Sequence, residues 1–561
     1  MCGIFASYVT SPIISKTAAS SRAALGCLSH RGPDANSEFL SESGRAFIGH
    51  SLLSVSNPSP FEGIQPVTNE RGSLAFNGEL YNVEDLKDKL KTAQAPITQE
   101  SEAAILLAGI QCFGWSFLGE IQGCWAIVLY DKKTDSIFFG RDRLGEKQLK
   151  YSAKSDKIFI SSEEKALIHV LGSPGFNEER IISDLIFDFF SNRDRTYFEA
   201  IRNCLPGAIY EVKPPSTVPT IIYQCGLSSA LINAPLRTKL SKAISSMLPN
   251  HHRFAIVLSG GLDSGIIASL LKTECQDIEF TAITATYEGK SDGDIPYAKM
   301  LTRHLGKIDH HILDLKPQDL IDSFDEVQLH LQEPFQDQVY LAQYQIYKKL
   351  AELGFRVAFN GQGADEFWGG YFNHYQLAKL NSLGLGGLEA HFLSVAKERG
   401  LGELLSAREI IELIHENIES RWCGLPALDS LLIEGHLQAM LSHEDKLSMA
   451  NGVELRLPFL NHALVQHAMA LPFEDLVSGG LEKSPLRTAT NGLLIDEVRL
   501  RRKSPFPDAP KSSYISSKLL REKTTAKRFF SESEISRIKA VSPSIEWRLC
   551  CINVFANARR G

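Results

Sequence analysis

The fold of the C-terminal half of this chain is decided by the stretch FAIVLSGGLDS at Phe254–Ser264. Its first five residues, Phe254–Leu258, are apolar or β-branched and predict a buried strand. The segment Ser259–Ser264 interrupts that run with two glycines and an acid, and the apolar run Gly265–Leu271 then predicts a helix. The stretch therefore predicts a strand, a glycine turn and the N-terminus of a helix.

The turn has the chemistry of a phosphate-binding loop. Gly260 and Gly261 let the main chain approach a polyanion closely, and the first N–H groups of the helix point at it. Ser259 and Ser264 add hydroxyl donors. Because Asp263 would repel a phosphate unless a cation lay between them, the turn predicts Mg²⁺ together with a nucleotide. An ordinary strand-to-helix turn explains the glycines but not the serines and the acid.

Composition indicates an ordinary globular protein of several domains. The chain has 561 residues, 43% of them hydrophobic, and a net charge of -7, so it lacks the basic surplus that favours nucleic-acid binding. No apolar run approaches the roughly 20 residues that span a bilayer, and we expect no membrane association. The ten cysteines are scattered, without a C-x-x-C pair. We interpret them as reduced thiols and expect a cytoplasmic protein.

The N-terminal half begins with a candidate nucleophile, Cys2. Removal of the initiator Met would leave Cys2 with a free α-amino group, which titrates near neutrality and can act as the base for its own thiol. Three polar motifs follow it: HRGPD at 30–34, FNGELYN at 76–82 and GRDRLG at 140–145. Strand-like runs occur at 45–50, 73–76, 126–130, 136–139 and 157–161, with one amphipathic helix at 101–112. Many short strands and few helices predict stacked sheets.

These motifs resemble the class II glutamine amidotransferases of the N-terminal-nucleophile fold. The resemblance also includes MCGI at the start and SSEEKAL at 161–167. It implies an α+β sandwich of stacked antiparallel sheets in which Cys2 attacks the side-chain carboxamide of glutamine. It also implies that Asn77 and the Gly78 N–H stabilise the oxyanion, and that Glu79 lies close to the substrate amide.

Two positions depart from that family. The family usually has an Arg at the position of Leu52, which holds the α-carboxylate of glutamine, and an Asp at the position of Glu102, which holds the α-amino group. A Leu cannot replace a bidentate guanidinium. Three outcomes stay open: glutamine binds weakly, another residue supplies the contact, or glutamine binding is lost.

The C-terminal half alternates strands and helices after the phosphate loop. We predict strands at 280–286, 311–315 and 356–359 and helices at 235–247, 295–305, 318–331 and 341–353, which together favour a parallel sheet. The loop Asn360–Glu366 follows another buried strand and again combines glycines with an acid. Because ligands bind at the carboxyl ends of such strands, Asp263 and Asp365 can share one ion that bridges phosphate oxygens. That arrangement fits splitting of ATP between its α- and β-phosphates.

The C-terminal motifs resemble the synthetase domain of the asparagine synthetase family. They are SGGLDS, GQGADEFWGGY at 361–371, DKLSMANGVELRLPFL at 445–460, EKSPLR at 482–487 and RRKSPF at 501–506. The resemblance implies an α/β ATP pyrophosphatase domain in which ATP adenylates a substrate carboxylate and an amine then displaces AMP. It implies that Ser259, Gly260, Gly261, Asp263 and Ser264 bind pyrophosphate, with Mg²⁺ shared by Asp263 and Asp365. By the same resemblance Leu258, Asn360 and Gly361 border the adenosine, and Lys483 neutralises charge that builds up on the phosphates.

The acceptor position also differs from the family. Asparagine synthetases typically have Glu where Gln362 stands, and glutamine cannot accept a proton at neutral pH. We therefore expect an amide of an acid other than aspartate, either a small molecule or a peptide. A second hypothesis keeps only the synthetase, with free ammonia, an external amine or an amine of the substrate itself as nucleophile. A third, non-catalytic hypothesis of nucleotide binding or scaffolding must explain why both loops keep their acids.

Domain boundaries are predicted from a proline cluster, Lys213–Pro219. We predict a glutaminase domain at 1–213, a linker at 214–234, an ATP pyrophosphatase domain at 235–520 and a C-terminal tail at 521–561. The resemblance adds the expectation of a homodimer.

Overall fold

The computed structural model describes residues 2–11, 14–55, 63–187, 194–227, 234–250, 252–275, 278–288, 293–335, 337–371, 385–403, 405–418, 435–504, 515 and 546–558. Most of the segment predicted as a C-terminal tail, 521–561, lies outside these residues. Within it, the structure describes the helix Glu546–Ala558.

Two antiparallel sheets form the N-terminal half, each with six strands. The first has the order β10-β8-β9-β1-β3-β2 and the second the order β12-β11-β7-β6-β5-β4. The strands of the first sheet are β1 (Gly3–Val9), β2 (Ala35–Leu40), β3 (Ala46–Leu52), β8 (Lys150–Ala153), β9 (Lys157–Ser161) and β10 (Arg202–Asn203). Those of the second are β4 (Val67–Thr68), β5 (Gly72–Leu80), β6 (Gly123–Asp131), β7 (Ser136–Arg141), β11 (Ala208–Val212) and β12 (Thr220–Gln224).

The alternation of side chains along the strands builds two layers of core. On β1, Ile4, Ala6 and Tyr8 face the space between the sheets, where they pack with alternate residues of the other sheet such as Val128. Phe5 points the other way and packs under the helices that cover the first sheet. The predicted α+β sandwich is confirmed.

The helices, numbered along the chain, connect and cover these sheets. In the N-terminal half they are α1 (Ile14–Gly26), α2 (Val83–Thr92), α3 (Glu102–Phe113), α4 (Glu164–Leu171) and α5 (Glu178–Phe187). In the C-terminal half they are α6 (Leu236–Ser245), α7 (Leu262–Glu274), α8 (Asp294–Leu305), α9 (Pro317–Leu331), α10 (Val339–Glu352), α11 (Ala364–Phe367), α12 (Leu385–Glu398), α13 (Ala407–Ile418), α14 (Leu437–Met449), α15 (His462–Met469), α16 (Phe473–Leu476), α17 (Ser484–Ala489), α18 (Asp496–Arg499) and α19 (Glu546–Ala558).

A five-stranded parallel sheet organises the C-terminal half, as predicted. Its strands are β13 (Phe254–Val257), β14 (Thr281–Tyr287), β15 (Asp309–Leu315), β16 (Val357–Phe359) and β17 (Glu454–Arg456), in the order β15-β14-β13-β16-β17. The chain builds outward from β13 to β15 on one side and then returns to add β16 on the other. The order of strands therefore reverses at β13, where β13 and β16 pair in parallel and their following loops lie side by side.

Ion pairs and shared apolar packing join the two halves. Arg31 lies 2.8 Å from Asp445, and Lys446 lies 3.2 Å from Glu164. Phe555 of α19 packs against rings of the N-terminal half, while Trp547 of the same helix packs against the C-terminal half. Within the segment predicted as linker, β12 pairs with β11. Among the described residues, no helix combines the length and apolarity needed to cross a bilayer.

Candidate functional site

The loop between β13 and α7 has the closed geometry of a phosphate cradle. Gly260 has φ +68, and a Cβ there would lie 2.5 Å from the Asp294 carbonyl oxygen, so the loop requires glycine at this position. The Ser259 N–H donates to Ser264 Oγ at 3.1 Å, and the Gly261 N–H donates to Ser259 Oγ at 3.3 Å. The two serines thus hold the turn against the first residues of α7.

The acids that follow β13 and β16, Asp263 and Asp365, both contact the same lysine. Lys483 Nζ lies 2.6 Å from Asp263 Oδ2 and 2.7 Å from Asp365 Oδ1. Lys503 Nζ lies 2.6 Å from Asp365 Oδ2. The approach depends on Gly370, because a Cβ there would lie 2.0 Å from Asp365 Oδ1. The structure therefore brings together three residues predicted from separate motifs.

Burial and charge act differently on the two acids. Burial opposes ionisation of Asp365, but Lys483 and Lys503 outweigh it and hold the pKa of Asp365 well below its ordinary value. Burial, together with the negative charge of Asp365, raises the pKa of Asp263 despite Lys483. Asp263 Oδ1 is buried and has no hydrogen-bond partner among the described residues. Two carboxylates, one with an unpartnered oxygen, form a donor set that suits Mg²⁺.

The residues expected to border the adenosine lie along the same edge of the sheet. The Leu258 carbonyl accepts from the Thr284 hydroxyl at 2.5 Å, and a Cβ on Gly361 would lie 2.8 Å from Asp263 Cβ. The Asn360 side-chain amide donates to the carboxylate of Glu444 at 3.4 Å. Tyr347 also donates to Glu444, whose pKa burial raises to about 7.

The N-terminal candidate site is built around Cys2, just before β1. The Cys2 N–H donates to Asn77 Oδ1 at 2.7 Å, and Arg31 Nε donates to the Cys2 carbonyl at 3.1 Å. Burial raises the pKa of the Cys2 thiol. On β5, Gly78 faces β6 so closely that a Cβ would lie 2.0 Å from the Cys124 carbonyl oxygen. Asn77 Nδ2 is buried without a partner among the described residues, so it can donate to a ligand.

Two acids stand beside Cys2. Glu79 and Glu102 line the same cavity as Cys2 and Leu52. Ser101 caps α3 by accepting from the Ala104 N–H, which places Glu102 in the first turn of that helix. The Leu80 N–H donates to Glu102 Oε1 at 2.7 Å. The cavity therefore combines a thiol with two carboxylates, as the motifs predict.

The sequence did not identify two basic residues, Arg456 and Lys503, that contact the predicted acids Glu79 and Asp365. Arg456, at the end of β17, lies 3.1 Å from Glu79 and 2.6 Å from Glu454, so it links the two halves in a cavity next to that of Cys2. Lys503 Nζ lies 2.6 Å from Asp365 Oδ2. Both residues occur in motifs that we quoted, VELRLPFL and RRKSPF, but their partners are distant in sequence and no local pattern identifies them.

A further polar cluster lies between the halves, formed by His30, Glu163 and His330. Its three side chains could surround a metal ion. However, Lys165 Nζ lies 2.9 Å from His30 Nε2, 2.9 Å from Glu163 Oε2 and 3.2 Å from His330 Nδ1. The ammonium group thus fills the centre of the cluster.

Comparison with known proteins agrees with this arrangement. The profile of the asparagine synthase family matches residues 235–541, and that of the glutamine amidotransferase domain matches residues 1–221. The chain belongs to the asparagine synthetase family. It is an ATP-dependent carbon–nitrogen ligase with a glutamine-hydrolysing domain, as the motifs implied.

Relatives of this asparagine synthetase family member cover most of its length. Asparagine synthetase [glutamine-hydrolyzing] 1 of Bacillus subtilis (strain 168) is 24% identical over 532 residues, covering 85% of this chain and 82% of the relative. Amidase chry2 of Gibberella zeae is 23% identical, covering 84% of this chain and 82% of the relative. A solved glutamine phosphoribosylpyrophosphate amidotransferase from B. subtilis covers 55% of this chain and 81% of its own, at 15% identity and a TM-score of 0.31.

Proposed function

We propose that this family member adenylates a carboxylic acid other than aspartate and converts it to an amide, with ammonia released from a glutamine side chain at Cys2. The observation that carries the proposal is the meeting of Asp263 and Asp365 on the ammonium of Lys483. This cluster lies beside the phosphate cradle, where charge on ATP must be neutralised.

In the first step of the proposed reaction, an oxygen of the acceptor carboxylate attacks the α-phosphorus of ATP. The bond from that phosphorus to the bridging oxygen breaks, and pyrophosphate leaves. Ser259, Gly260, Gly261 and Ser264 bind the pyrophosphate, and Lys483 stabilises the charge that develops on the phosphate oxygens. Asp263 and Asp365 would hold Mg²⁺, which would supply further positive charge at the phosphates.

In the second step, ammonia attacks the carbonyl carbon of the acyl-adenylate. A carbon–nitrogen bond forms, the bond from that carbon to the phosphate oxygen breaks, AMP leaves and the nitrogen loses a proton. Leu258, Asn360 and Gly361 border the adenosine throughout and orient the acyl-adenylate for this attack.

The ammonia comes from the other site. The Cys2 thiol passes its proton to the Cys2 α-amino group, which removal of Met1 makes available, and the sulfur attacks the side-chain carboxamide. The carbon–nitrogen bond then breaks, and the leaving nitrogen takes that proton to depart as ammonia. Water then hydrolyses the thioester to the acid. Asn77 and the Gly78 N–H stabilise the oxyanion in both steps, while Glu79 and Glu102 bind the donor.

The non-aspartate acceptor is supported by two features. Gln362 replaces the usual Glu in the loop after β16 and cannot act as a base. A relative of comparable coverage carries the name amidase, whereas others are named asparagine synthetases. We propose a small-molecule or peptide carboxylic acid.

Pyrophosphate release from ATP with a panel of carboxylic acids tests this function. We expect release with at least one acid other than aspartate, and formation of its amide when glutamine or ammonia is added. Release with aspartate alone would contradict the acceptor assignment. No release with any acid, under conditions where a known asparagine synthetase is active, would contradict the adenylation itself.

A second candidate function uses free ammonia or an amine, including an amine of the acceptor, and leaves the glutaminase idle. Leu52 favours it, because this side chain lines the Cys2 cavity where the family has an Arg. Amide formation by Cys2→Ala protein supplied with ammonia, but not by wild type supplied with any glutamine derivative, would support this alternative.

We also propose the domain division predicted from the proline cluster: 1–213, a linker at 214–234, 235–520 and a tail at 521–561. A cytoplasmic location and a homodimer remain part of the proposal. Sedimentation of the purified protein tests the dimer.

A further inference from the structure

We propose that the Cys2 site takes glutamine whose α-carboxylate is neutral, as in a glutamine amide or the N-terminal glutamine of a peptide, in preference to free glutamine. This inference rests on the proposed function, in that Cys2 must be the nucleophile of a glutaminase. It concerns only the chemical class of the amide donor.

The first observation is the charge of the Cys2 cavity. The described residues that line it include two acids, Glu79 and Glu102, but no Lys, Arg or His. Leu52, Leu53 and Val55 make one wall of the cavity apolar.

The second observation is that the neighbouring cations already have acidic partners. Arg456 is held between Glu79 and Glu454, at 3.1 and 2.6 Å. Lys87 lies 2.9 Å from Glu100 and 3.4 Å from Glu84. A carboxylate brought to either cation would compete with an acid of the protein.

The third observation is a larger cavity next to the Cys2 cavity. A cavity of about 530 Å³ adjoins the Cys2 cavity and shares Val55, Glu79, Ser101 and Glu102 with it. Residues of the C-terminal half, including Leu248, Asn250 and Arg456, also line it. A volume of this size is within the range of small-molecule sites, so it can accommodate a group attached to the α-carbonyl of the donor.

All three observations disfavour a charged α-carboxylate on the bound donor. A buried carboxylate without a countercharge is strongly unfavourable, and two acids nearby add repulsion. An α-ammonium group, in contrast, is attracted by the same acids. Burial and the charge of Glu79 raise the pKa of Glu102 well above its ordinary value, so a cation beside Glu102 would stabilise the charged form of this carboxyl group. The site therefore favours a donor that keeps its ammonium group and has lost its carboxylate charge.

The test compares four amide donors on wild-type enzyme: L-glutamine, L-glutaminamide, glutaminylglycine and N-acetylglutamine. Ammonia release is measured, and mass spectrometry of the products confirms that the side-chain amide was cleaved. We expect kcat/KM for L-glutaminamide and glutaminylglycine to exceed that for L-glutamine at least tenfold. We expect N-acetylglutamine, which keeps the carboxylate and lacks the ammonium, to be the poorest donor. Cys2→Ala should release ammonia from none of them.

Leu52→Arg should reverse the preference by raising kcat/KM for L-glutamine relative to L-glutaminamide. Leu329→Arg, at an exposed position of α9, is the matched control and should keep the wild-type order. Because the donor series is run on wild type, the result does not depend on folding of the variants.

Equal or better use of L-glutamine by wild type would overturn the inference. Ammonia release from none of the donors, with amide formation from free ammonia intact, would also overturn it while leaving the adenylation step standing. The expected donor order in an enzyme that releases pyrophosphate with no acid would support the inference and contradict the proposed function.

Discussion

Asp263 and Asp365, which follow two neighbouring parallel strands, both contact the ammonium of Lys483, at 2.6 and 2.7 Å. The lysine backbone at this position is left-handed, with φ +57, just before α17. One positive charge therefore offsets the mutual repulsion of two nearby acids. Loss of the lysine charge, or an added side chain that separates these three residues, should therefore impair the site.

Lys483→Met should abolish most of the adenylation activity. Removing a preorganised charge that stabilises a transition state lowers kcat by roughly 10²–10³-fold. Pyrophosphate release measures the effect. Lys397→Met, at an exposed position of α12, is the matched control and should retain wild-type activity. Activity of Lys483→Met within about threefold of wild type would show that the lysine has no role in catalysis.

Gly370→Ala should impair the same site by steric clash rather than by loss of charge. A Cβ at this position would lie 2.0 Å from Asp365 Oδ1 and 2.4 Å from Lys483 Cε, so the acid and the lysine must separate. We expect a loss of pyrophosphate release of at least about tenfold, equivalent to roughly 1.4 kcal/mol in the barrier. The control is Gly386→Ala in α12, where a Cβ would have no neighbour within 4 Å. Equal activities for the two variants would refute the prediction.

Arg31→Met should weaken the contact between the two halves. Arg31 is fully buried and lies 2.7 Å from Glu163 and 2.8 Å from Asp445. Its removal leaves the buried Asp445 without its ion-pair partner, which typically lowers the free energy of unfolding by about 3–5 kcal/mol. Urea denaturation measures this change.

The matched control for Arg31 is Arg22→Met. Arg22 pairs with Glu38 at the protein surface, where solvent screens the ion pair and leaves it a small contribution to stability. A loss for Arg31→Met no larger than that for Arg22→Met would contradict the interpretation of Arg31 as a buried link.

Glu444→Gln should stabilise the protein at alkaline pH. Burial raises the pKa of Glu444 from an ordinary 4.5 to about 7, so the folded state disfavours its charged form. The resulting destabilisation is full above about pH 7, is relieved as the pH falls through the folded pKa, and is absent below about pH 4.5. At 1.36 kcal/mol per pKa unit it reaches about 3 kcal/mol.

Urea denaturation of wild type and Glu444→Gln at pH 8 and pH 5 measures this dependence. We expect the variant to gain free energy of unfolding at pH 8 and to gain little at pH 5. A difference that is the same at both pH values would show that titration of Glu444 does not contribute.

Much of the fold follows from local pattern. The strand-like runs at 73–76 and 126–130, and the strand, glycine turn and helix at 254–271, predict elements that the structure contains within about five residues of the predicted bounds. The side-by-side placement of the loops after β13 and β16 also follows, because parallel strands meet at one edge. Membership of the asparagine synthetase family, implied by the ordered motifs, is confirmed.

The sequence by itself therefore determined the stacked sheets of the N-terminal half and the parallel sheet, and it predicted the chemistry that we propose at Cys2 and at the glycine turn. These features depend on neighbouring residues, whose spacing is visible along the chain. Only the tertiary structure decided that Lys483 bridges Asp263 and Asp365, that Arg456 reaches Glu79, and that the Cys2 cavity lacks a cation among its described lining residues. Such charge balance depends on side chains hundreds of residues apart in sequence, because electrostatic interaction depends on distance in space and on burial.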